Sequence, residues 1–220
     1  MDLTPLKLSL QLSAVTTVLL LFIGTPLAWW LANTRMRGRF LVEAVVVLPI
    51  VLPPTVLGFY LLELLGANGP LAWALTLLDA QLVFSFTGLV IGSVIFSLPF
   101  VVYPLKNVFE KLPRPQLEAA ATLGAGAFDR FISVVVPSSR SGFLAAAVLV
   151  FAHTVGEFGV VLMLGGNIPG ETQVLSIAIY NHVEQLEYTA AHALSAGLVA
   201  FSFVVLAVLH FTHDRQQARG

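Results

Sequence analysis

Polar residues cut this chain into long apolar runs. Residues 8–34, 44–62, 80–105 and 188–213 carry no Asp, Glu, Lys or Arg, and Glu157 alone interrupts 141–170. A helix needs about 20 residues to cross the hydrocarbon of a bilayer. The pattern therefore predicts five transmembrane helices, at about 9–31, 42–64, 83–105, 142–164 and 190–211. The first is not read as a secretory signal: its apolar stretch is too long, its arginines follow it, and no Ala-x-Ala site closes it. Between the runs, Ala67-Asn68-Gly69-Pro70 marks a turn, and the apolar stretch from there to Asp79 predicts a short interfacial helix. Apolar residues at 174, 175, 177, 179, 183 and 186 predict a surface helix or a sheltered segment at a pore mouth. Residues 106–141 form the longest polar connection. Pro115 suits a helix start, Leu117, Ala120 and Ala121 share a side, and Gly124 and Gly126 interrupt. Ala127, Phe128, Phe131, Ile132 and Val135 resume a 3–4 residue spacing until Pro137. This connection is expected to be two short helices with a glycine joint.

Composition agrees. Of 220 residues, 57% are hydrophobic and 10% charged, against about 45–50% and roughly 25% in soluble domains. One core of this length could not hide so much apolar surface from water, so the composition argues against a soluble enzyme and for a polytopic membrane protein. The formal net charge of −1 provides no basic field for nucleic acid. The absence of cysteine excludes disulfides and thiolate metal sites. Charge then orients the chain. Arg35, Arg37, Arg39, Lys106, Lys111, Arg114, Arg130, Arg140, Arg215 and Arg219 fall on one side of the expected membrane, and Lys7 alone on the other. Positive residues stay inside, so the N-terminus is expected outside and the C-terminus in the cytoplasm, as an odd number of spans requires. Trp29, Trp30, Tyr60 and Tyr103 suit interfacial belts. The expectation is an all-α polytopic membrane protein forming a single domain over 1–220.

Candidate chemistry inside the spans is sparse. Pro49, Pro53 and Pro54 each remove a backbone donor and crowd the preceding turn. In hydrocarbon the freed carbonyls must find protein partners or line a cavity. The second span is therefore a kinked wall or a gate, with Thr55 there and Thr154 in the fourth span supplying hydroxyls. Gly88 and Gly92 make a G-x-x-x-G face for close helix contact. Glu157 is the carboxylate within a span, and His153 lies one turn earlier. Intramembrane carboxylates face the bundle interior and have partners. Glu157 lies on a transport pathway or, the preferred reading, braces the bundle by bonding His153 or backbone freed near Gly156 and Gly159. His182, His192, His210 and His213 are read as bystanders, not metal ligands, and no cofactor is called for. Arg39 and Glu43 are spaced for a helix pair at the inner face.

One motif is sharper. Glu118-Ala119-Ala120, then three residues, Gly124, nine residues and Val134-x-Val136-Pro137 resemble the E-A-A loop of bacterial ABC importer permeases, with Val in place of the family's Ile and Leu. The resemblance implies a type I importer permease fold in the cytoplasmic (inner) membrane of a prokaryote. It implies a homodimer, two cytoplasmic ATP-binding subunits and an extracytoplasmic oxyanion-binding protein, with lipid around it and no nucleic acid. It makes this loop the coupling helix, with Leu117, Glu118, Ala119, Ala120, Leu123, Gly124, Ala127 and Pro137 as its residues. Residues 48–58 (LPIVLPPTVLG), Gly156-Glu157-Phe158-Gly159 and 166–172 (GNIPGET) are similar to the molybdate subfamily, with tungstate, sulfate and thiosulfate importers as near relatives. Residues 165–172 lack the lysine of a P-loop. ATP is thus expected to be hydrolysed by the partner, and the chain is not itself an enzyme. With no Lys or Arg in any span, it is expected to be a low-affinity conduit fed by the binding protein. An ion-driven secondary transporter is the rival, but internal repeats and paired broken helices are not evident in the sequence.

Overall fold

The computed structural model describes residues 2–77 and 81–217, the side chains of 208–217 excepted. Asp79 and Arg219 therefore lie outside the described residues, as do the side chains of His210, His213 and Arg215. Every regular element among the described residues is helical: α1 Thr4–Asn33, α2 Arg39–Val51, α3 Pro54–Leu65, α4 Ala72–Leu77, α5 Phe86–Glu110, α6 Arg114–Thr122, α7 Ala127–Arg130, a π-helical turn Phe131–Val135, α8 Val136–Ser138, α9 Arg140–Val155, α10 Gly159–Gly165, α11 Leu175–Glu184 and α12 Tyr188–Gln217. Three of these are long and apolar enough to cross a membrane: α1, α5 and α12 over Tyr188–Ala207. Two bent pairs raise the number to five when each counts as one span: Arg39–Val51 with Pro54–Leu65, at 111°, and Ala127–Ser138 with Arg140–Val155, at 74°.

Two expected spans are not single helices. The second breaks at Leu52 and Pro53. Pro53 and Pro54 have no N–H to offer the Pro49 and Ile50 carbonyls four residues back, so the ladder stops there. The kink expected from the prolines is a full break. The fourth expected span, 142–164, breaks at 156–158, where glycines flank Glu157. In both cases the apolar run is continuous, but the helix is not.

The core is built on α1, α5 and α9. At the end of the bundle that carries most of the basic residues, Leu20, Ala28, Leu31, Val101, Val102, Leu105, Ala146 and Val150 are buried together. Trp29 stacks edge-on against Phe109 (centroids 5.3 Å apart) and Phe131 (5.5 Å), and Phe109 meets Phe143 at 6.1 Å. Such pairs add about 0.5–1.5 kcal/mol beyond area burial. Trp29, half-buried near the end of α1, thus packs into this aromatic cluster. At the opposite end, Leu61, Leu65, Val83, Phe96, Val160 and Leu164 join α3, α5 and α10. Gly92 serves this contact: a Cβ there would stand 2.5 Å from Leu164 Cδ1. Gly88 does not, since its Cβ would meet the Leu82 carbonyl of its own turn, and its N–H donates to the Ser85 hydroxyl that caps α5. The short helix expected within 66–81 is α4. The segment expected after 174 is α11, whose Leu175 N–H donates to Ser9 Oγ of α1 at 2.7 Å and whose Leu175, Ile177 and Ala178 are buried.

Candidate functional site: two helix breaks and an exposed loop

The two breaks meet. A Cβ added to Gly159, the first residue of α10, would lie 2.6 Å from Pro54 Cβ and 3.2 Å from the Thr55 N. One turn further along α3, a Cβ on Gly58 would meet Met163 and the Val160 backbone. Glycine at both positions lets the half-helices α3 and α10 run in near backbone contact. Their junction leaves Pro53, Pro54, Thr55 and Gly156 exposed. Unpaired backbone cannot face lipid, so this patch borders protein or water. Sequence reasoning named Gly156 and Gly159 as a place of freed backbone but missed that Gly159 meets Pro54. The signal was present in Gly-Glu-Phe-Gly, but nothing local says that the turn lands on Pro54.

Glu157 sits inside this junction, 4% exposed. Its Oε1 accepts from the Val160 N–H at 2.9 Å, which satisfies one of the orphan donors at the start of α10. The Ser176 hydroxyl donates to the Glu157 carbonyl, tying α11 to the same break. Glu157 Oε2 and His153 Nε2 are buried without hydrogen-bond partners among the described residues. The expected bond between them is not made. His153 instead lies against Phe100 and Phe96, with centroids 4.2 and 5.0 Å away. α9 ends at Val155, so the one-turn spacing of the two side chains no longer puts them on one helical face. The brace runs from Glu157 to backbone. Thr154 is turned into the bundle, where its Oγ1 shares a hydrogen bond with Ser97 Oγ of α5 at 3.3 Å. Pro49 is likewise buried, within α2. Of the five proline and hydroxyl candidates these two are buried, whereas Pro53, Pro54 and Thr55 are exposed at the junction.

The connection between α5 and α9 is the second feature. Pro113 and Pro115 frame the start of α6, which has no buried residue. It ends in a left-handed Gly124, φ +88°. There the Ala125 N–H bonds the Ala120 carbonyl and the Gly124 N–H bonds the Ala121 carbonyl, a Schellman close that favours glycine. After α7, the Val136 N–H reaches back to the Phe131 carbonyl, five residues away. Pro137, in α8, has no N–H and crowds the Ser133 carbonyl, which accounts for the widened turn. Leu117 packs half-buried on the core, and Phe131 enters the aromatic cluster. Glu118, Ala119 and Ala127 are exposed, Ala120 half-buried, and Leu123 and Phe128 stand 89% and 80% exposed. The loop is anchored at its back and presents an unpartnered apolar front.

A third feature was half legible. Arg39 Nε contacts Glu43 at 2.8 Å, as the spacing predicts. The same pair is joined by two residues of α5. Arg39 Nη2 lies 2.8 Å from Glu110, and Lys106 Nζ lies 2.6 Å from Glu43 and 3.8 Å from Glu110. Among the described residues no cluster of His, Asp and Glu suits a metal ion.

Residues 24–219 match the family of binding-protein-dependent transport system inner membrane components. The chain is 56% identical to the molybdenum transport system permease protein ModB of Azotobacter vinelandii, over 95% of this chain and 93% of that one. It is 34% identical to the putative molybdenum transport system permease protein YvgM of Bacillus subtilis, over 92% and 90%. It is 32% identical to the sulfate transport system permease protein CysT of Escherichia coli, over 95% and 76%. Among solved structures it is similar to a chain of a bacterial alginate ABC transporter in complex with an alginate-bound periplasmic protein. That match has a TM-score of 0.77 at 15% identity and covers 97% of this chain and 78% of that one.

Proposed function

On the premise that this chain belongs to the family of binding-protein-dependent transport system inner membrane components, we propose that it is the membrane permease of an ATP-driven importer for molybdate and its congener tungstate. The observation that carries the cargo is the 56% identity to the molybdenum permease of Azotobacter vinelandii, against 32% to the sulfate permease of Escherichia coli. In this reading the chain crosses the inner membrane of a prokaryote five times, N-terminus outside. It pairs with a second copy, takes ATP-binding subunits on its cytoplasmic side and receives cargo from a binding protein outside.

The geometry supports a division of labour. The α6–α7 loop, with Glu118, Ala119, Leu123 and Phe128 exposed, is the surface that enters the ATPase groove. Small alanines allow close approach, and Gly124 sets the turn that presents Leu123. The junction of α3 and α10 is the passage wall. An oxyanion moving along it meets proline and threonine backbone and not a fixed cation, since no Lys or Arg lies between Phe40 and Tyr103. Weak contact suits passage, because a conduit must release what it admits. Glu157 holds the α10 end of the wall in place. ATP binding closes the ATPase pair, the loops move with it, and the two copies rock about their interface to expose the wall outward, with the reverse on product release.

The test is ATP hydrolysis and uptake by the whole complex in liposomes with its binding protein, molybdate against sulfate at matched concentration. Stimulation by molybdate alone supports machine and cargo together. Preference for sulfate keeps the machine and overturns the cargo. If no ATPase subunit accompanies the chain from its membrane, the importer reading fails.

A further inference from the structure

We propose that Arg39, Glu43, Lys106 and Glu110 form the linkage that carries motion of the cytoplasmic loop to the broken α2–α3 segment; this rests on the importer reading above. The four side chains close a ring. Glu43 Oε1 takes Arg39 Nε and Lys106 Nζ, and Glu110 Oε1 takes Arg39 Nη2 with Lys106 alongside. Each carboxylate therefore bridges a base on its own helix and a base on the other. Lys106 is 12% exposed, and its ammonium also stands 5.7 Å from the Tyr103 ring. Isolated surface pairs contribute little, but a network with fixed geometry is the exception.

The position of the ring is what gives it a role. Glu110 is the last residue of α5, and α6 begins at Arg114 after a tight turn in which Leu112 packs on the core. Any displacement of α6 is thus delivered to the foot of α5, where Lys106 and Glu110 sit. On the other side, α2 has little hold of its own. Val46 and Pro49 are its buried residues, while Phe40, Leu41, Val45 and Leu48 are 50–67% exposed. The ring clamps the start of α2 to α5. The end of α2 is the Leu52–Pro53 break, and the next residues, Pro54 and Thr55, touch Gly159 of α10. The path from loop to wall therefore runs α6, foot of α5, ring, α2, break. Without the ring α2 is fixed only by one apolar stripe, and the foot of α5 can move without it.

These are positioning residues: they act on the passage through α2 and touch no cargo. The test uses the full complex, permease with its ATPase subunits and binding protein, in liposomes, and reads molybdate taken up per ATP hydrolysed. In Glu110→Gln the assembled complex keeps hydrolysing ATP while the uptake-to-ATP ratio falls about tenfold, the scale of ordinary coupling between sites. Arg39→Gln has the same effect, and the double variant is no worse than either alone, because both remove one link. The fourfold reversal Arg39→Glu, Glu43→Arg, Lys106→Glu, Glu110→Lys rebuilds the ring with opposite signs and restores the ratio. A ring that only stabilises the fold lowers assembled yield and leaves the ratio unchanged, and that result overturns the proposal. So does a reversed complex that assembles and stays uncoupled. If the unmodified complex shows no molybdate-stimulated hydrolysis, it is the importer reading that fails, before any variant is compared.

Discussion

Glu157 shows how one side chain is judged by what it bonds. Its Oε1 accepts the Val160 N–H at 2.9 Å and its other oxygen has no hydrogen-bond partner among the described residues. Glu157→Gln keeps a carbonyl oxygen as acceptor, so uptake and the melting temperature of the complex are expected to stay near wild type. Glu157→Ala strands a buried donor, which costs about 1–3 kcal/mol, and is expected to lower the melting temperature and the yield. Loss of uptake in the Gln variant, with the complex intact, moves Glu157 from brace to pathway. Gly159 makes the complementary case. Gly159→Ala forces a methyl to 2.6 Å from Pro54, and the obstacle is proline ring and backbone, which cannot rotate away. Uptake is expected to fall severalfold without loss of membrane insertion, checked by transport against the amount of permease in the membrane.

At the scale of elements, the runs of apolar residues located every long helix, because length and charge exclusion are properties of a stretch. They could not locate the breaks equally well. The prolines at 53 and 54 announce theirs by chemistry, whereas the break at 156–158 has no proline, and only its glycines hinted at it. The Arg39–Glu43 pair was legible from its spacing of four. Lys106 and Glu110 join it from 63 and 71 residues away, a separation at which local pattern carries no information. The α6–α7 loop was legible in outline because its signals are local: proline at the start, glycine at the turn, aromatic spacing after it. The π-helical turn and the helix that runs on through Pro137, where the sequence predicted an end, were not. Two expectations follow for this element. Glu118→Arg or Gly124→Trp should release or uncouple the ATPase subunits while the permease still inserts, measured by co-purification and by ATP hydrolysis. Unchanged transport in both variants removes the loop from the coupling role. Pro53→Ala with Pro54→Ala returns N–H donors to the Pro49 and Ile50 carbonyls. A straighter α2–α3 segment should then pull Thr55 off Gly159, and uptake should fall while ATP hydrolysis persists.

At the scale of the whole molecule the number of crossings turns on the two bent helix pairs. A pair of helices bent by 111° could return to the side it left, so α2 and α3 decide one of the two crossings that separate three spans from five. The contacts argue for a crossing. α2 begins beside Glu110, at the foot of α5, with Arg39 2.8 Å away. α3 ends with Leu65 buried beside Val83, just ahead of the start of α5. The pair therefore travels the length of a 25-residue helix, which at about 1.5 Å per residue exceeds the hydrocarbon thickness. α9 and α10 do the same. Phe143 lies against Phe109 at the foot, and the Leu164 carbonyl accepts the Phe84 N–H at the far end, 2.7 Å. The chain has no cysteine, so single cysteines report topology without a background to remove. A membrane-impermeant maleimide added to intact cells stripped of their outer membrane should label Asn68→Cys and Gln185→Cys. Arg37→Cys and Gln116→Cys should react only after the membrane is opened, as the basic loops require. If Arg37→Cys and Asn68→Cys react from the same side, α2 and α3 form a re-entrant hairpin, α5 runs the other way, and the basic loop that carries Glu118 lies outside. That single result would remove the ATPase from its docking surface, which makes the Arg37–Asn68 comparison the most economical check on the architecture.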